Sequence, residues 1–515
     1  MVAIDPSLED GDTLQVSIQS TWQLKRPQLQ EKALQTLRVH QQDQACQSGE
    51  RNSKSTQTDR LFKKYSDAVR GGPGLAAVVS FLNKVVPLIE VAIAENALYT
   101  IQTEVDWTQE APTDATLSHT LHAPDTATSP GSEQTCCTSV SWSSTGQGIA
   151  VSYGRFDVEG WCLQPGRLCT WNLARTGFDP NKPEVTVEVD SCLQCCAYHP
   201  QQPGLIAGGT YTGGVYVWDL SQEGDFQVFK STLSASSHQE PVTAVSWHSS
   251  TADDSLHNIG EDADVVISLG SDGRLLMWRW QTAELLYGFE LMWQHPDSRK
   301  MVLWGGTCMA LPQQGFQQQP GGCLVGSEGG AVFRCSLDRT AAARQTFAQA
   351  VGAQQKGLVS SAIKSLVCQH AGPVHALSAS PFDPNLVLSC GLDGQARICS
   401  SLIRQPLLEL APSDSYLFAA QWSPTRPMLL AIGAGDGRVF LYDLMHNPER
   451  PVKVLDVCGS AKPVYGLAFN VQAPELFATT DQQSVKVWTL QEGLTKQRAK
   501  ERQALDRLVA DATAT

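Results

Sequence analysis

The chain has 515 residues, more than one hydrophobic core usually serves, and its 42% apolar and 17% charged residues with 41 Gly and 27 Pro fit a folded, turn-rich, all-β domain carrying extensions. A net charge of −14 opposes a nucleic-acid partner, because that affinity comes from clustered Lys and Arg displacing counterions. Met1 to Pro6 has neither a basic nor an apolar leader-like run, and Leu75 to Ala94, the most apolar segment, is interrupted by Ser80, Asn83, Lys84 and Glu90, so neither a secretory leader nor a membrane span is expected.

Residues 1–72 read as a largely disordered arm. Its first part is Gln-rich and too polar to form a core, with a short helix expected from Arg26 to Gln44 carrying Leu29, Ala33, Leu34 and Leu37 on one side. Lys54-Ser55-Thr56-Gln57-Thr58-Asp59 is an extended, β-prone hexapeptide, a form that can add a strand to the edge of a partner's sheet. Ala45-Cys46-Gln47-Ser48 looks like a degraded second copy. Gly71-Gly72-Pro73-Gly74 then breaks the chain.

Residues 73–110 are expected to hold an amphipathic helix and a strand. Leu75, Val78, Leu82, Val85, Ile89 and Ile93 recur at steps of three and four, which places them on one helical face. Pro87 lies inside that pattern and removes a backbone donor, so the segment is either two short helices or one kinked helix. The stripe has no local partner and implies docking, on another chain or on the rim of the following domain. Ile101 to Trp107 alternates like a strand and is expected to close that domain, with 111–134 as a linker.

From Gln134 to Leu490 a unit recurs about every 35 to 60 residues. Its openings include Thr138-Ser139-Val140-Ser141-Trp142-Ser143, Leu193-Gln194-Cys195-Cys196-Ala197-Tyr198, Val242-Thr243-Ala244-Val245-Ser246-Trp247, Val374-His375-Ala376-Leu377 and Phe418-Ala419-Ala420-Gln421-Trp422. Val464-Tyr465-Gly466-Leu467 closes the series and Gly306-Thr307-Cys308-Met309 is a weaker member, giving seven units. The closings follow Gly-Gly or Asp-Gly, at Gly213-Gly214, Asp272-Gly273 and Asp436-Gly437, where a hairpin needs positive φ and Gly supplies it. Insertions interrupt the period at Gly154 to Arg167 and at Phe333 to Ser365, either partner-binding or disordered. The charged tail, 491–515, reads as a solvated helix from Glu492 to Ala510.

Fifteen Cys in a reducing compartment behave as small buried residues. Cys192-Leu193-Gln194-Cys195-Cys196 contains a CxxC with no second ligand pair at zinc spacing, so strand packing is expected there and no metal or other cofactor. No phosphate-binding GxxxxGK[ST] occurs. No convergent Ser/His/Asp or paired-carboxylate set supports an enzyme.

Val217-Trp218-Asp219-Leu220 resembles the signature of the WD-repeat family, which implies a seven-bladed WD40-type β-propeller over 135–490, preceded by the disordered and helical arm. In that family a His, a Ser or Thr, the turn Asp and a late Trp form a hydrogen-bonded set within a blade, and His238, Ser268, Asp272 and Trp278 resemble it. His370, Ser389 and Asp393 repeat three members, with Cys399 where Trp would fall. The resemblance implies a structural role for these sets rather than catalysis.

The order of arm, amphipathic segment and propeller is similar to that of the dynein intermediate chains. The blade from Gly208 to Leu220 carries their Gly-Gly-x-Tyr-x-Gly-x-Val-x-x-Trp-Asp pattern, and Thr56-Gln57-Thr58 resembles the peptide taken by dynein's dimeric hub light chain. Within the family the compact arm looks most like the WD-repeat type of the second cytoplasmic dynein, the motor of retrograde intraflagellar transport. The resemblance implies a propeller that grips a dynein heavy-chain tail, Lys54 to Asp59 on the hub light chain, and the stripe Leu75, Val78, Leu82, Val85, Ile89 and Ile93 on a roadblock-type light chain. It further implies a Tctex-type light chain and a second intermediate chain as partners, and a place in the cytoplasm, cytoskeleton, cilium or flagellum and basal body. The repeat alone also fits a WD-repeat adaptor such as a ubiquitin-ligase substrate receptor or a vesicle-coat component.

Overall fold

The computed structural model describes residues 113–123, 135–156, 164–232, 234, 236–248, 264–294, 300–312, 322–337, 362–403, 405–459 and 462–514, with 81, 83–87 and 89–90 ahead of them. The short N-terminal stretch belongs to one compact unit up to Pro87 and to the start of another, which runs from Leu88 to Thr515. Its described residues are helical on both sides of Pro87, with Phe81, Val86 and Ile89 exposed and Val85 half-buried. The expected helix at Arg26 to Gln44, the peptide Lys54 to Asp59 with its upstream copy, the break at Gly71 to Gly74 and the expected strand Ile101 to Trp107 lie outside the described residues. So do Leu75, Val78, Leu82 and Ile93.

Seven four-stranded antiparallel sheets form the blades of a propeller. Blade 1 opens on Cys136–Trp142 and ends on Val185–Val189, blade 2 runs from Leu193–Tyr198 to Gln227–Lys230, and blade 3 from Val242–His248 to Glu284–Glu290. Blade 4 runs from Gly306–Ala310 to Ile363–Gln369, blade 5 from Val374–Ala379 to Pro406–Leu410, and blade 6 from Leu417–Trp422 to Lys453–Asp456. Blade 7 comprises Leu467–Phe469, Leu476–Thr480 and Ser484–Leu490, and its outer strand is Ala115–His122 from the start of the domain. The closing strand therefore lies within the stretch assigned to a linker, not at Ile101 to Trp107. Its weak pattern, Ala-Thr-Leu-Ser-His-Thr-Leu-His, reflects an outer strand whose Leu121 is buried while Leu117 is exposed.

The pairing of Ala115 with Leu490 through to His122 with Ser484 is reinforced at both ends. Asp114 O accepts from the Gln491 amide at 3.0 Å, and the His122 amide donates to Pro180 O in blade 1 at 3.0 Å. The new strand covers what would otherwise be the exposed edge of Ser484–Leu490.

The core divides into seven clusters, one at each seam between neighbouring blades. Ile149, Val151 and Cys137 of blade 1 meet Val485 and Val487 of blade 7, and Val217 and Phe229 of blade 2 meet Val242 and Trp278 of blade 3. The second strand of each blade faces both seams. That geometry explains why Leu205–Thr210, Val265–Gly270, Leu386–Gly391 and Leu429–Ala434 are buried along their whole length and read as continuous apolar or small runs rather than alternations. The hairpin turns use the expected chemistry, with φ of 85° at Gly213, 70° at Gly273 and 85° at Gly437. Between blades 3 and 4 an additional hairpin, Met292–Gln294 with Met301–Leu303, interrupts the repeat.

Two sequence expectations need correction. The second insertion is narrower than Phe333 to Ser365, because Phe333 is a buried residue of Ala331–Ser336 and Ser365 belongs to Ile363–Gln369. The tail is not a solvated helix. It forms Glu492–Thr495 and Glu501–Ala514, and Ala504 and Leu505 are buried in the seam between blades 5 and 6 among Leu410, Tyr442 and Leu444.

An ion network fixes that helix. Arg426, fully buried, holds Asp443 at 2.8 Å and Glu501 at 2.9 Å and donates from Nη1 to Gly493 O at 2.7 Å. Arg498 reaches Asp443 at 3.4 Å. Burial opposes charge on Arg426, but the two carboxylates outweigh it and raise the guanidinium pKa. Removing the single buried cation strands two carboxylates, so Arg426→Met is expected to cost about 3–5 kcal/mol in urea denaturation of the full chain. Lys496→Ala, which breaks only the exposed pair with Glu492, is expected to change stability by less than about 0.5 kcal/mol. Equal midpoints for the two variants would contradict the anchoring role of the network.

Candidate functional site

The seven inner strands enclose a central channel of about 400 Å³. Each of the first six inner strands carries a one-residue irregularity near its start, between Cys137 and Ser139, Leu193 and Cys195, Val242 and Ala244, Gly306 and Cys308, Val374 and Ala376, and Leu417 and Ala419. A bulge leaves its extra residue out of the ladder and re-aims the side chain. The residues so released are Thr138, Gln194, Thr243, Thr307, His375 and Phe418, and with Tyr465 they give the channel lining one such residue from each blade.

Several of these side chains tie a blade to the next. Thr138 donates to Leu193 O at 2.9 Å, Thr243 to Gly306 O at 3.0 Å and Thr307 to Val374 O at 2.6 Å. His375 Nδ1 donates to Phe418 O at 2.8 Å. From there the series becomes aromatic: His375 and Phe418 rings lie 4.9 Å apart, Phe418 and Tyr465 5.2 Å, and Tyr465 and Phe156 4.4 Å. Phe156 comes from the insertion in blade 1, whose start is held by Gln194 Nε2 donating to Arg155 O at 2.8 Å. The lining is thus two-sided, polar at Thr138, Gln194, Thr243 and Thr307 and aromatic at His375, Phe418, Tyr465 and Phe156. Burial depresses the pKa of His375, which keeps the ring neutral at physiological pH.

This lining was not singled out from the sequence. Its signal was present as a repeated triplet of a first residue, a variable second and a small third: Val242-Thr243-Ala244, Val374-His375-Ala376, Leu417-Phe418-Ala419, Val464-Tyr465-Gly466. Both the variable residue and the small one line the channel.

The structure brings His238, Ser268, Asp272 and Trp278 together within blade 3. His238 Nδ1 lies 3.1 Å from Asp272 Oδ1, His238 Nε2 lies 2.8 Å from Ser268 Oγ, and Trp278 Nε1 donates to the same hydroxyl at 2.8 Å. In blade 5 His370 Nδ1 meets Asp393 at 3.0 Å and His370 Nε2 meets Ser389 Oγ at 2.8 Å, with Cys399 in the place of the Trp. Both His side chains are fully buried, so these sets lock turns. Cys195 and Cys196 lie in an inner strand with both thiols buried and their pKa values raised by desolvation, the opposite of what a thiolate ligand or nucleophile needs. Of the expected light-chain-binding residues only Val85 and Ile89 lie among the described residues.

At Asp272 burial raises the carboxyl pKa, but the His238 ring and the amides of Gln239 and Arg274 outweigh it and hold the group below 3.8. A depressed folded value means that the stabilisation is complete above the unfolded carboxylate value and is lost as pH falls through the folded one. Asp272→Asn is therefore expected to lose about 1–3 kcal/mol at neutral pH, and the gap from the parent chain is expected to narrow below pH 3.8. Chemical denaturation at a series of pH values checks this; a gap independent of pH would count against the charged His–Asp bond.

Comparison with known proteins agrees with this architecture. Residues 352–484 match the family described as the dynein axonemal intermediate chain 3 WD40 domain. Over 418 residues the chain is 37% identical to cytoplasmic dynein 2 intermediate chain 2 of Mus musculus, covering 80% of this chain and 74% of that protein. It is 35% identical over 421 residues to the Homo sapiens protein of the same name, covering 80% and 75%. The cytoplasmic dynein 1 intermediate chain of Drosophila melanogaster is 26% identical over 336 residues, covering 64% of this chain and 44% of that one. A seven-bladed propeller closed by its N-terminal strand, with similarity of this depth across four-fifths of its length, places the chain in the dynein intermediate chain family.

Proposed function

We propose that this chain is a non-catalytic intermediate chain of a cytoplasmic dynein 2 motor, with the propeller bound to a heavy-chain tail and the N-terminal arm gathering light chains for retrograde intraflagellar transport. The observation that carries this reading is the similarity to cytoplasmic dynein 2 intermediate chain 2, which spans 80% of the chain at 35–37% identity. In this reading Lys54, Ser55, Thr56, Gln57, Thr58 and Asp59 lie as an added strand in the groove of the hub light chain, and the stripe from Leu75 to Ile93 seats a roadblock-type light chain. Tctex-type light chains and a second intermediate chain complete the set, at the ciliary base and along the axonemal cytoskeleton.

Physical support comes from the strand at the start of the ring. The strand that seals blade 7 lies on the C-terminal side of the arm in sequence, and Asp114, just ahead of it, is held by Lys453 Nζ at 2.6 Å. Tension on the arm is therefore delivered to a paired strand rather than to a loose terminus. Each light chain of these types is a dimer, so two arms bridged at two points hold each other at high effective concentration. Assembly of the motor's halves is then the activity.

Affinity purification of the tagged chain from ciliated cells, with identification of what co-purifies, tests the reading. A ciliary dynein heavy chain with hub and roadblock-type light chains is the expected set; ubiquitin-ligase or coat subunits in their place would overturn it. Gln57→Ala is expected to lower hub-light-chain recovery at least about tenfold, equivalent to ~1.4 kcal/mol, and to leave the heavy chain bound. Ile89→Asp is expected to remove the roadblock-type chain alone. Undiminished recovery in either variant contradicts that assignment.

A further inference from the structure

The polar groups of the channel lining have their hydrogens engaged by the walls. Thr243 Oγ1 donates to Gly306 O at 3.0 Å and Thr307 Oγ1 to Val374 O at 2.6 Å, each crossing a seam to the next blade. A hydroxyl has one hydrogen and two lone pairs, so what these half-buried residues still offer a guest is a lone pair. His375 repeats the arrangement one blade on. Its Nδ1 hydrogen goes to Phe418 O at 2.8 Å, and a neutral imidazole with its proton there has only an acceptor at Nε2. Thr307, bonded to the carbonyl of the residue before His375, stands beside it. Gln194 likewise donates from Nε2 to Arg155 O at 2.8 Å.

The same arc then becomes aromatic. The ring centroids of His375 and Phe418 lie 4.9 Å apart, those of Phe418 and Tyr465 5.2 Å and those of His375 and Tyr465 6.4 Å. Phe156, exposed and 4.4 Å from Tyr465, continues the aromatic surface to solvent. Ring faces carry negative potential, and with centroids this close one cation can lie within about 6 Å of all three. Among the described residues that line the channel there is no Lys, Arg, Asp or Glu. No fixed cation therefore repels a positive guest, whereas an anionic one would meet lone pairs and ring faces that repel it. The net charge of −14 draws basic segments toward the chain as a whole.

We propose that the channel takes the side chain of an arginine carried by a partner protein, its guanidinium against His375, Phe418 and Tyr465 and its N–H groups donating to Thr307 Oγ1 and His375 Nε2. The lining selects this cation over an ammonium for two reasons. With no carboxylate in the lining to offset desolvation, the more weakly hydrated ion enters at lower cost. The guanidinium is also a flat fork of five donors that stacks on rings and reaches several acceptors at once. The cavity volume of about 400 Å³ falls within the roughly 300–1,000 Å³ of small-ligand sites. The inference goes beyond the motor assignment and does not depend on which partner presents the arginine.

Saturation-transfer NMR on the full chain tests it, with the Nα-acetyl methylamides of arginine, lysine and citrulline as probes. Citrulline keeps the size and shape of arginine but replaces the cation with a neutral urea. Transfer to the arginine side-chain methylenes is expected, with citrulline bound at least about tenfold more weakly, equivalent to ~1.4 kcal/mol, and lysine in between. Phe418→Leu, which removes one ring and keeps an apolar side chain, is expected to weaken the arginine probe at least about threefold. The comparison of probes uses the unaltered chain, so it decides the matter even where that variant fails to fold. No transfer to the arginine probe, citrulline or lysine bound as tightly as arginine, or full arginine affinity in a folded Phe418→Leu chain overturns the proposal.

Discussion

The closure of the ring rests on one set of backbone pairs. A circle of sheets held only by side-chain packing between neighbours leaves an unpaired edge on its outermost strands and a seam that can part. Here the strand Ala115–His122 supplies the outer edge of blade 7 and pairs along its length with Ser484–Leu490. Because the two strands are joined through every other blade, parting them costs both the ladder and the packing of Leu121 against Tyr153 and Val485, and of Ala115 against Trp488. The remaining seams then act as nearest-neighbour interfaces in a closed chain. Each has its own apolar cluster, and four of them carry a polar tie from a bulge residue in the channel lining.

One seam has an additional member. Between blades 5 and 6 the tail helix Glu501–Ala514 lies against the outer part of the cluster, and Arg426 binds it through Glu501 while bracing Asp443 of blade 6. The domain is thus fastened at both chain ends. The N-terminal end enters as a strand through backbone hydrogen bonds, and the C-terminal end docks as a helix through a buried ion network.

Much of this was legible in the sequence where the information is local. Asp-Gly and Gly-Gly turns, period-two strands and the spacing from His238 through Trp278 are short-range features, and they give seven units and the blade set. What escaped was encoded at long range. Glu501 is 75 residues from Arg426, and a charged helix looks solvated until its partner is known. Ala115–His122 is poorly patterned because an outer strand buries few side chains, whereas Ile101 to Trp107 alternates more strongly. The lining of the channel was hidden differently: its residues are chemically unlike one another, and only the repeated bulge makes Thr138, Gln194, Thr243 and His375 equivalent.

The chain belongs to the dynein intermediate chain family, and its propeller is sealed at the junction of Ala115–His122 with Ser484–Leu490. Hydrogen–deuterium exchange on the intact chain tests that junction most directly. The amides of 115–122 are predicted to be protected as strongly as those of 484–490, and the two strands to lose protection together as denaturant is added. Exchange of 115–122 at the rate of an unstructured peptide, with 484–490 still protected, would show that the ring is closed some other way.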